Sequence, residues 1–166
     1  MPPATSQSYS VLELLAVFRA LRYNESFRSI SFQDINLQKL HGLVDTYGED
    51  HIAWATRSGL PIQRYFNISP AEKSLLYQET QALALKTNKV RRLNFGNTLP
   101  GRQPCDDEED VVKDPGCEIA SALLPLCRAQ LTNVDWIVFN GIELGETDLD
   151  EFSRFHPIFL EQLALA

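Results

Sequence analysis

Apolar residues recur with the same spacing in three separate stretches of the chain. In each stretch the second apolar residue follows the first by three positions, and the third follows by two more. The three sets are Phe27, Ile30 and Phe32; Val90, Leu93 and Phe95; and Val134, Ile137 and Phe139. Because alternate side chains of a strand point to opposite faces, this spacing predicts three short strands that each bury one face. In the outer two stretches the pattern continues through Ile35 and Leu37, and through Ile142 and Leu144.

This spacing fits the L-x-x-L-x-L core of a leucine-rich repeat. The fold class it predicts is α/β: a fragment of a ribonuclease-inhibitor-like αβ solenoid, in which short parallel strands alternate with helices. The stretches begin at residues 27, 90 and 134 and so lie 63 and 44 residues apart, whereas one such repeat takes about 20 to 29 residues. A degenerate repeat within residues 38–89 and a polar insertion after the second strand explain the difference. Ile35, Thr98 and Ile142 occupy the usual asparagine position of the repeat.

Capping residues predict four helices around these strands. The clearest signal is Ser10 followed by Glu13, a capping box that predicts a helix from Val11 to Arg22. The other three predicted starts are Ser69 before a helix from Pro70 to about Lys86, Asp114 before a helix that begins at Pro115 and contains Pro125, and Thr147 before a last helix. Gly96-Asn97 and Asn140-Gly141 are interpreted as turns that follow strands.

Composition divides the chain into a disordered N-terminus, residues 1–9, and one leucine-rich-repeat-like domain, residues 10–166. An exposed insertion at residues 100–114 carries the run Asp106 to Asp110, which has too little apolar area to offset chain entropy. The chain ends in an apolar segment, Ile158 to Leu165, for which the pattern offers no further strand. We therefore expect that the domain is part of a longer array, or that it self-associates through this C-terminal apolar edge.

Charge and hydropathy exclude two classes of partner. The net charge of -7 argues against a nucleic-acid partner, since phosphate binding needs a concentrated basic surface. No stretch approaches the ~18 uncharged apolar residues of a transmembrane segment. Cys105, Cys117 and Cys127 are odd in number and unevenly spaced, which is typical of reduced thiols in a cytoplasmic protein.

One stretch also resembles a known family. Leu14 to Leu37 reads Leu-Leu-Ala-Val-Phe-Arg-Ala-Leu-Arg-Tyr-Asn-Glu-Ser-Phe-Arg-Ser-Ile-Ser-Phe-Gln-Asp-Ile-Asn-Leu. It resembles the entry to the leucine-rich array of the CARMIL family, the capping-protein, Arp and myosin linkers. The resemblance implies a curved solenoid in a scaffold of the actin cytoskeleton. That family binds capping protein through a basic tail outside its repeats, and this chain has no matching segment, so capping-protein inhibition is not implied.

The chain lacks a recognisable catalytic or metal-binding motif. His41, His51 and His156 lie in three unrelated segments, and no closely spaced ligand pair is present. Asp148, Asp150 and Glu151 fit the first turn of a helix, where the helix dipole favours acidic residues. We therefore predict a protein that is not an enzyme, with no catalytic residues, no metal site and no cofactor.

The side chains that alternate away from the predicted core define a candidate concave binding face. They are Ser29, Ser31, Gln33, Arg92, Asn94, Gly96, Trp136, Val138 and Asn140. Trp136 and Arg92 are of the types enriched in binding hot spots, although Trp136 could equally pack under a neighbouring loop. The predicted function is a non-enzymatic protein-protein interaction scaffold with a protein partner, in regulation of the actin cytoskeleton. Two alternatives remain: a single-domain α/β enzyme or small-ligand protein with an ordinary sheet, and a helical adaptor.

Overall fold

A parallel sheet of four short strands runs through the part of the chain that the computed structural model describes, residues 9–43, 73–99, 117–154 and 163–164. The strands are β1 (Ser29–Ser31), β2 (Arg92–Asn94), β3 (Trp136–Val138) and β4 (Leu163–Ala164), and their order in the sheet is their order in the chain. Ile30 pairs with Leu93, and Leu93 pairs with Ile137. This register aligns the three predicted strands by the middle residue of each apolar set.

The helices follow the same order beside the sheet. They are α1 (Val11–Arg22), α2 (Leu75–Lys86), α3 (Glu118–Arg128) and α4 (Glu146–Ser153), with a short 3-10 helix at Gln38–Leu40. Helix α2 packs between α1 and α3, and α3 packs against α4. Side chains from the helices and the inward side of the strands form a single apolar core. The fold is therefore mixed α/β with a parallel sheet, as predicted, and no described helix is long and apolar enough to span a bilayer.

Helix α1 has the predicted bounds because its start is determined by local contacts. The Ser10 hydroxyl accepts a hydrogen bond from the Glu13 backbone N–H at 3.3 Å, and the Ser10 N–H donates to Glu13 Oε2 at 2.7 Å. Leu14, Leu15 and Phe18 form its buried stripe. The capping box and the helical spacing of apolar residues thus act on the same segment.

The predicted starts of the other three helices are wrong. Helix α2 begins after Ser74, whose hydroxyl accepts from the Tyr77 N–H, and α3 begins after Cys117. Helix α4 begins after Gly145, so Thr147 lies inside it. The predicted caps Ser69 and Asp114 lie outside the described residues, as do the acidic insertion, His51, His156 and Cys105. Pro125 lies within α3, which ends three residues later at Arg128.

Stacked aromatic rings extend across the core from α1 to the residues that follow β1 and β2. The Phe18 and Phe32 rings stack with centroids 4.6 Å apart, and the Phe32 and Phe95 rings stack at 5.3 Å. Phe27, however, is 51% exposed, so its predicted burial is wrong. It precedes the edge strand β1, where the Asn24 side chain accepts from its backbone N–H in a tight turn, and no described strand lies on its outer side.

The turns after β1, β2 and β3 repeat at equivalent positions. The backbone N–H groups of Ile35, Thr98 and Ile142 donate to the carbonyls of Phe32, Phe95 and Phe139. Each turn also contains one residue with positive φ, at the same position of the pattern: Asp34 (62°), Asn97 (55°) and Gly141 (67°). These residue types tolerate the left-handed conformation at least cost. The two predicted turns are confirmed, and Gln33-Asp34 forms a third.

The C-terminal segment contributes a strand that the apolar pattern does not predict. Leu163 and Ala164 of β4 pair in parallel with Ile137 and Val138 of β3. The backbone of this segment therefore extends the sheet beyond β3, and the longer array or self-association expected at this edge stays a prediction.

Candidate functional site

One face of the sheet carries most of the predicted binding residues. Because side chains alternate along each strand, the residues between the core positions point away from the helices. We call this surface the open face; its exposed or half-buried members are Ser29, Ser31, Gln33, Arg92, Asn94, Trp136 and Asn140.

Two predicted members of the binding face are buried. Val138 is only 5% exposed, although it alternates to the same side as Trp136. It lies in an interior strand, opposite Asn94 on one side and Ala164 on the other, so neighbouring strands flank it on both sides. Gly96 is also buried, close to Asn94 and to the Asn140 backbone. Val138 and Gly96 are therefore removed from the candidate surface.

Arg92 and Trp136 form the contact at the centre of the open face. They are directly opposite each other on β2 and β3, and the Arg92 guanidinium carbon lies 5.0 Å from the centroid of the Trp136 ring. A cation over an indole at this distance contributes roughly 0.5–1 kcal/mol at an exposed site. Trp136 nevertheless remains 42% exposed. Trp136 therefore packs against a side chain of the neighbouring strand, and the pair presents a charged group and a flat apolar ring together.

Amide side chains cross from strand to strand beside this pair. Asn94 donates from Nδ2 to Gln33 Oε1 at 3.1 Å and accepts from the Gly96 backbone N–H at 2.9 Å. One turn further, Asn97 donates from Nδ2 to Asp34 Oδ1 at 2.9 Å. These bonds fix the rotamers of polar side chains along one edge of the open face. The sequence signal for the second bond is the pair Asp34 and Asn97, which occupy equivalent positions after β1 and β2.

Among the candidate catalytic groups, Glu151 forms ion pairs with Arg128 and Arg154, and His41 lies in a second described cluster of polar side chains. His41 Nδ1 lies 2.9 Å from Glu118 Oε2, and the Ser74 hydroxyl donates to the same oxygen at 2.7 Å. The Ser74 hydroxyl also caps α2, so its proton and lone pair are both engaged in contacts that tie segments together. The Ser74 hydroxyl therefore donates to a carboxylate and not to the imidazole. Activation of a serine nucleophile by histidine requires the hydroxyl to donate to the imidazole, so this contact does not provide it.

The contacts of Asp148 and the burial of Cys117 and Cys127 are explained by the fold. The buried Asp148 carboxylate accepts from the backbone N–H groups of Cys117 (2.6 Å) and Gly145 (2.9 Å), and so joins the starts of α3 and α4. Burial raises the pKa of Cys117 to about 11 and that of Cys127 to about 12, which keeps both thiols protonated at neutral pH. The described residues include no group of three or more His, Cys, Asp or Glu side chains placed to hold a metal ion.

Comparison with known proteins identified no relative of this chain. No family model, curated protein or solved structure matches the chain.

Proposed function

We propose that this protein is a non-enzymatic interaction module of the leucine-rich-repeat type, which binds a protein partner through the open face of its sheet. The resemblance of Leu14 to Leu37 to the CARMIL family suggests a cytoplasmic scaffold in regulation of the actin cytoskeleton as its setting. In this proposal the helices supply the core that holds the strands in register, and the strands present the binding side chains.

The repeat interpretation is supported by three features that recur together. The strands are parallel and in sequential order, each apolar set has the same register, and β1, β2 and β3 are each followed by the same hydrogen-bonded turn. Units of this kind bury their apolar faces against neighbouring units and leave one strand face available. The usual asparagine is absent, and Thr98 at one of these positions instead donates its hydroxyl to the Phe95 carbonyl at 2.7 Å.

The single observation that carries the proposal is the Arg92–Trp136 pair on an exposed sheet face. Tryptophan and arginine are the side chains most enriched in binding hot spots, and here each restricts the other's rotamers before any partner arrives. A half-exposed indole held in place loses little conformational freedom on binding. The amide contacts beside it supply donors and acceptors that can orient a partner.

Photocrosslinking tests the open face directly. A photoreactive phenylalanine analogue at Ser31, which is exposed on β1, is expected to capture a partner in cells, and Trp136→Ala is expected to reduce capture at least about tenfold. The control is the same analogue at Leu149, which is 54% exposed on α4 away from the strands. Equal capture from both positions, or capture from Ser31 that Trp136→Ala leaves unchanged while circular dichroism shows a native fold, contradicts the proposal.

A further inference from the structure

Basic side chains converge at the amino ends of β1 and β2, beside the open face. Arg28, Asn88, Lys89 and Arg91 line a cleft of about 240 Å³. All four residues are exposed. Three cations therefore share one cleft in a chain whose net charge is -7. We call this feature the basic cleft.

The backbone holds these residues together although they lie far apart in the sequence. The Arg28 carbonyl accepts hydrogen bonds from the N–H groups of Arg91 (2.8 Å) and Arg92 (3.1 Å). The residue before β1 is thereby fixed beside the residue before β2. Arg92 is the next residue after Arg91, so the Arg92–Trp136 pair begins one residue along the chain from the lining of the basic cleft.

The positive charge of the basic cleft is only partly balanced within the described residues. No described carboxylate lies within ion-pair distance of Arg28 or Lys89. Arg91 has Asp135 Oδ2 at 3.6 Å, but the side chains are 58% and 50% exposed, so solvent screens this pair. Glu25 lines a neighbouring cleft that shares Asn88. Bringing like charges together is unfavourable without a counter-charge, and an acidic ligand supplies one.

We propose that the basic cleft and the Arg92–Trp136 pair together bind an acidic segment of a protein partner, with two or more carboxylates next to an aromatic or aliphatic residue. This inference rests on the proposed function and adds the chemistry of its partner. Arginine suits carboxylates because its guanidinium can donate two parallel hydrogen bonds. The Trp136 ring offers the adjoining apolar contact. The net charge of -7 opposes extended polyanions such as nucleic acids or anionic bilayers, whereas a short acidic segment needs only local complementarity.

Selection from a random peptide library displayed on phage, against the immobilised full chain, tests this assignment. We expect the enriched peptides to carry clustered Asp or Glu beside an apolar residue. A fluorescein-labelled copy of the most enriched peptide is then titrated in fluorescence anisotropy. Its affinity is expected to fall at least about tenfold with Arg28→Glu/Lys89→Glu, and to fall as NaCl rises from about 50 to about 500 mM.

The matched control is Lys39→Glu/Arg154→Glu, which makes the same change in net charge at exposed residues outside the basic cleft. It is expected to change the affinity less than about twofold. Enriched peptides that are neutral and lose binding with Trp136→Ala, but not with Arg28→Glu/Lys89→Glu, overturn the acidic assignment and leave the proposed function standing. Peptides whose affinity is unchanged by Trp136→Ala contradict the proposed function itself. An unenriched library, or tighter binding of phosphatidylserine vesicles or poly(A) RNA than of any selected peptide, overturns the acidic-peptide inference.

Discussion

Gly141→Ala is the substitution for which the structure predicts the most specific effect. Gly141 has a φ of +67°, and a Cβ added there overlaps the Oδ1 atom of Asn97. The left-handed backbone costs a residue with a Cβ about 1–2 kcal/mol. Alanine recovers about 0.4–1 kcal/mol of this by restricting the unfolded chain. Strain alone therefore amounts to about 1 kcal/mol.

The overlap adds a second cost through Asn97. To make room, the Asn97 side chain must rotate, which breaks its 2.9 Å hydrogen bond to Asp34. Such a bond contributes about 0.5–1.5 kcal/mol. We expect Gly141→Ala to lower the free energy of unfolding by about 1.5–2.5 kcal/mol in urea denaturation followed by circular dichroism.

Gly42 separates the two costs. It has a φ of +73°, but a Cβ added there meets no atom within 4 Å, so Gly42→Ala is expected to cost only the strain, about 1 kcal/mol. In an Asn97→Gly background the overlap is absent and the hydrogen bond to Asp34 is already lost, so adding Gly141→Ala should cost only the strain, about as much as Gly42→Ala. If Gly141→Ala costs no more than Gly42→Ala, or if it costs as much in the Asn97→Gly background as in the wild type, the two turns are not in the contact described.

Further measurements address buried charge and the thiols. Glu79 is 2% exposed and pairs with Arg22, whose side chain is 12% exposed. Glu79→Gln leaves this largely enclosed cation without its counter-charge and should cost about 3 kcal/mol in urea denaturation, whereas Glu151→Gln, which breaks exposed pairs, should cost under about 1 kcal/mol. Similar losses in the free energy of unfolding for the two variants would contradict this account. In the folded protein Cys117 and Cys127 should be alkylated by iodoacetamide at pH 8 far more slowly than glutathione, as followed by mass spectrometry of the tryptic peptide that contains both, and equal rates would show that burial does not suppress the thiolates. Because the folded-state pKa of Cys117 is raised from 9.0 to about 11, its contribution to stability is present below about pH 9 and declines as pH rises toward 11, a trend that denaturation at stepped pH measures.

Much of the open face could be predicted from strand alternation. The outward position of Ser29 and Arg92 follows from the alternation of side chains along a strand, because each is next to a buried residue. The partnership of Arg92 with Trp136 could not be predicted this way, because it depends on the register between two strands 44 residues apart that begin at residues 92 and 136. The basic cleft depends on register in the same way. Its signals, Arg28 and the pair Lys89 and Arg91, are unremarkable until β1 lies beside β2.

By itself the sequence determined the features that arise within a few residues. The bounds of α1 follow from its capping box and apolar stripe, and the strands and their turns follow from alternation and from residues that accept positive φ. Tertiary structure determined the features for which longer-range contacts compete with local signals. Helices α3 and α4 begin where the Asp148 carboxylate reaches two backbone N–H groups, one of them 31 residues away. Val138 alternates to the same side of β3 as Trp136 and yet is buried, in a strand that is paired on both sides. A local pattern specifies which face a side chain takes, but only the assembled neighbours determine whether that face meets water.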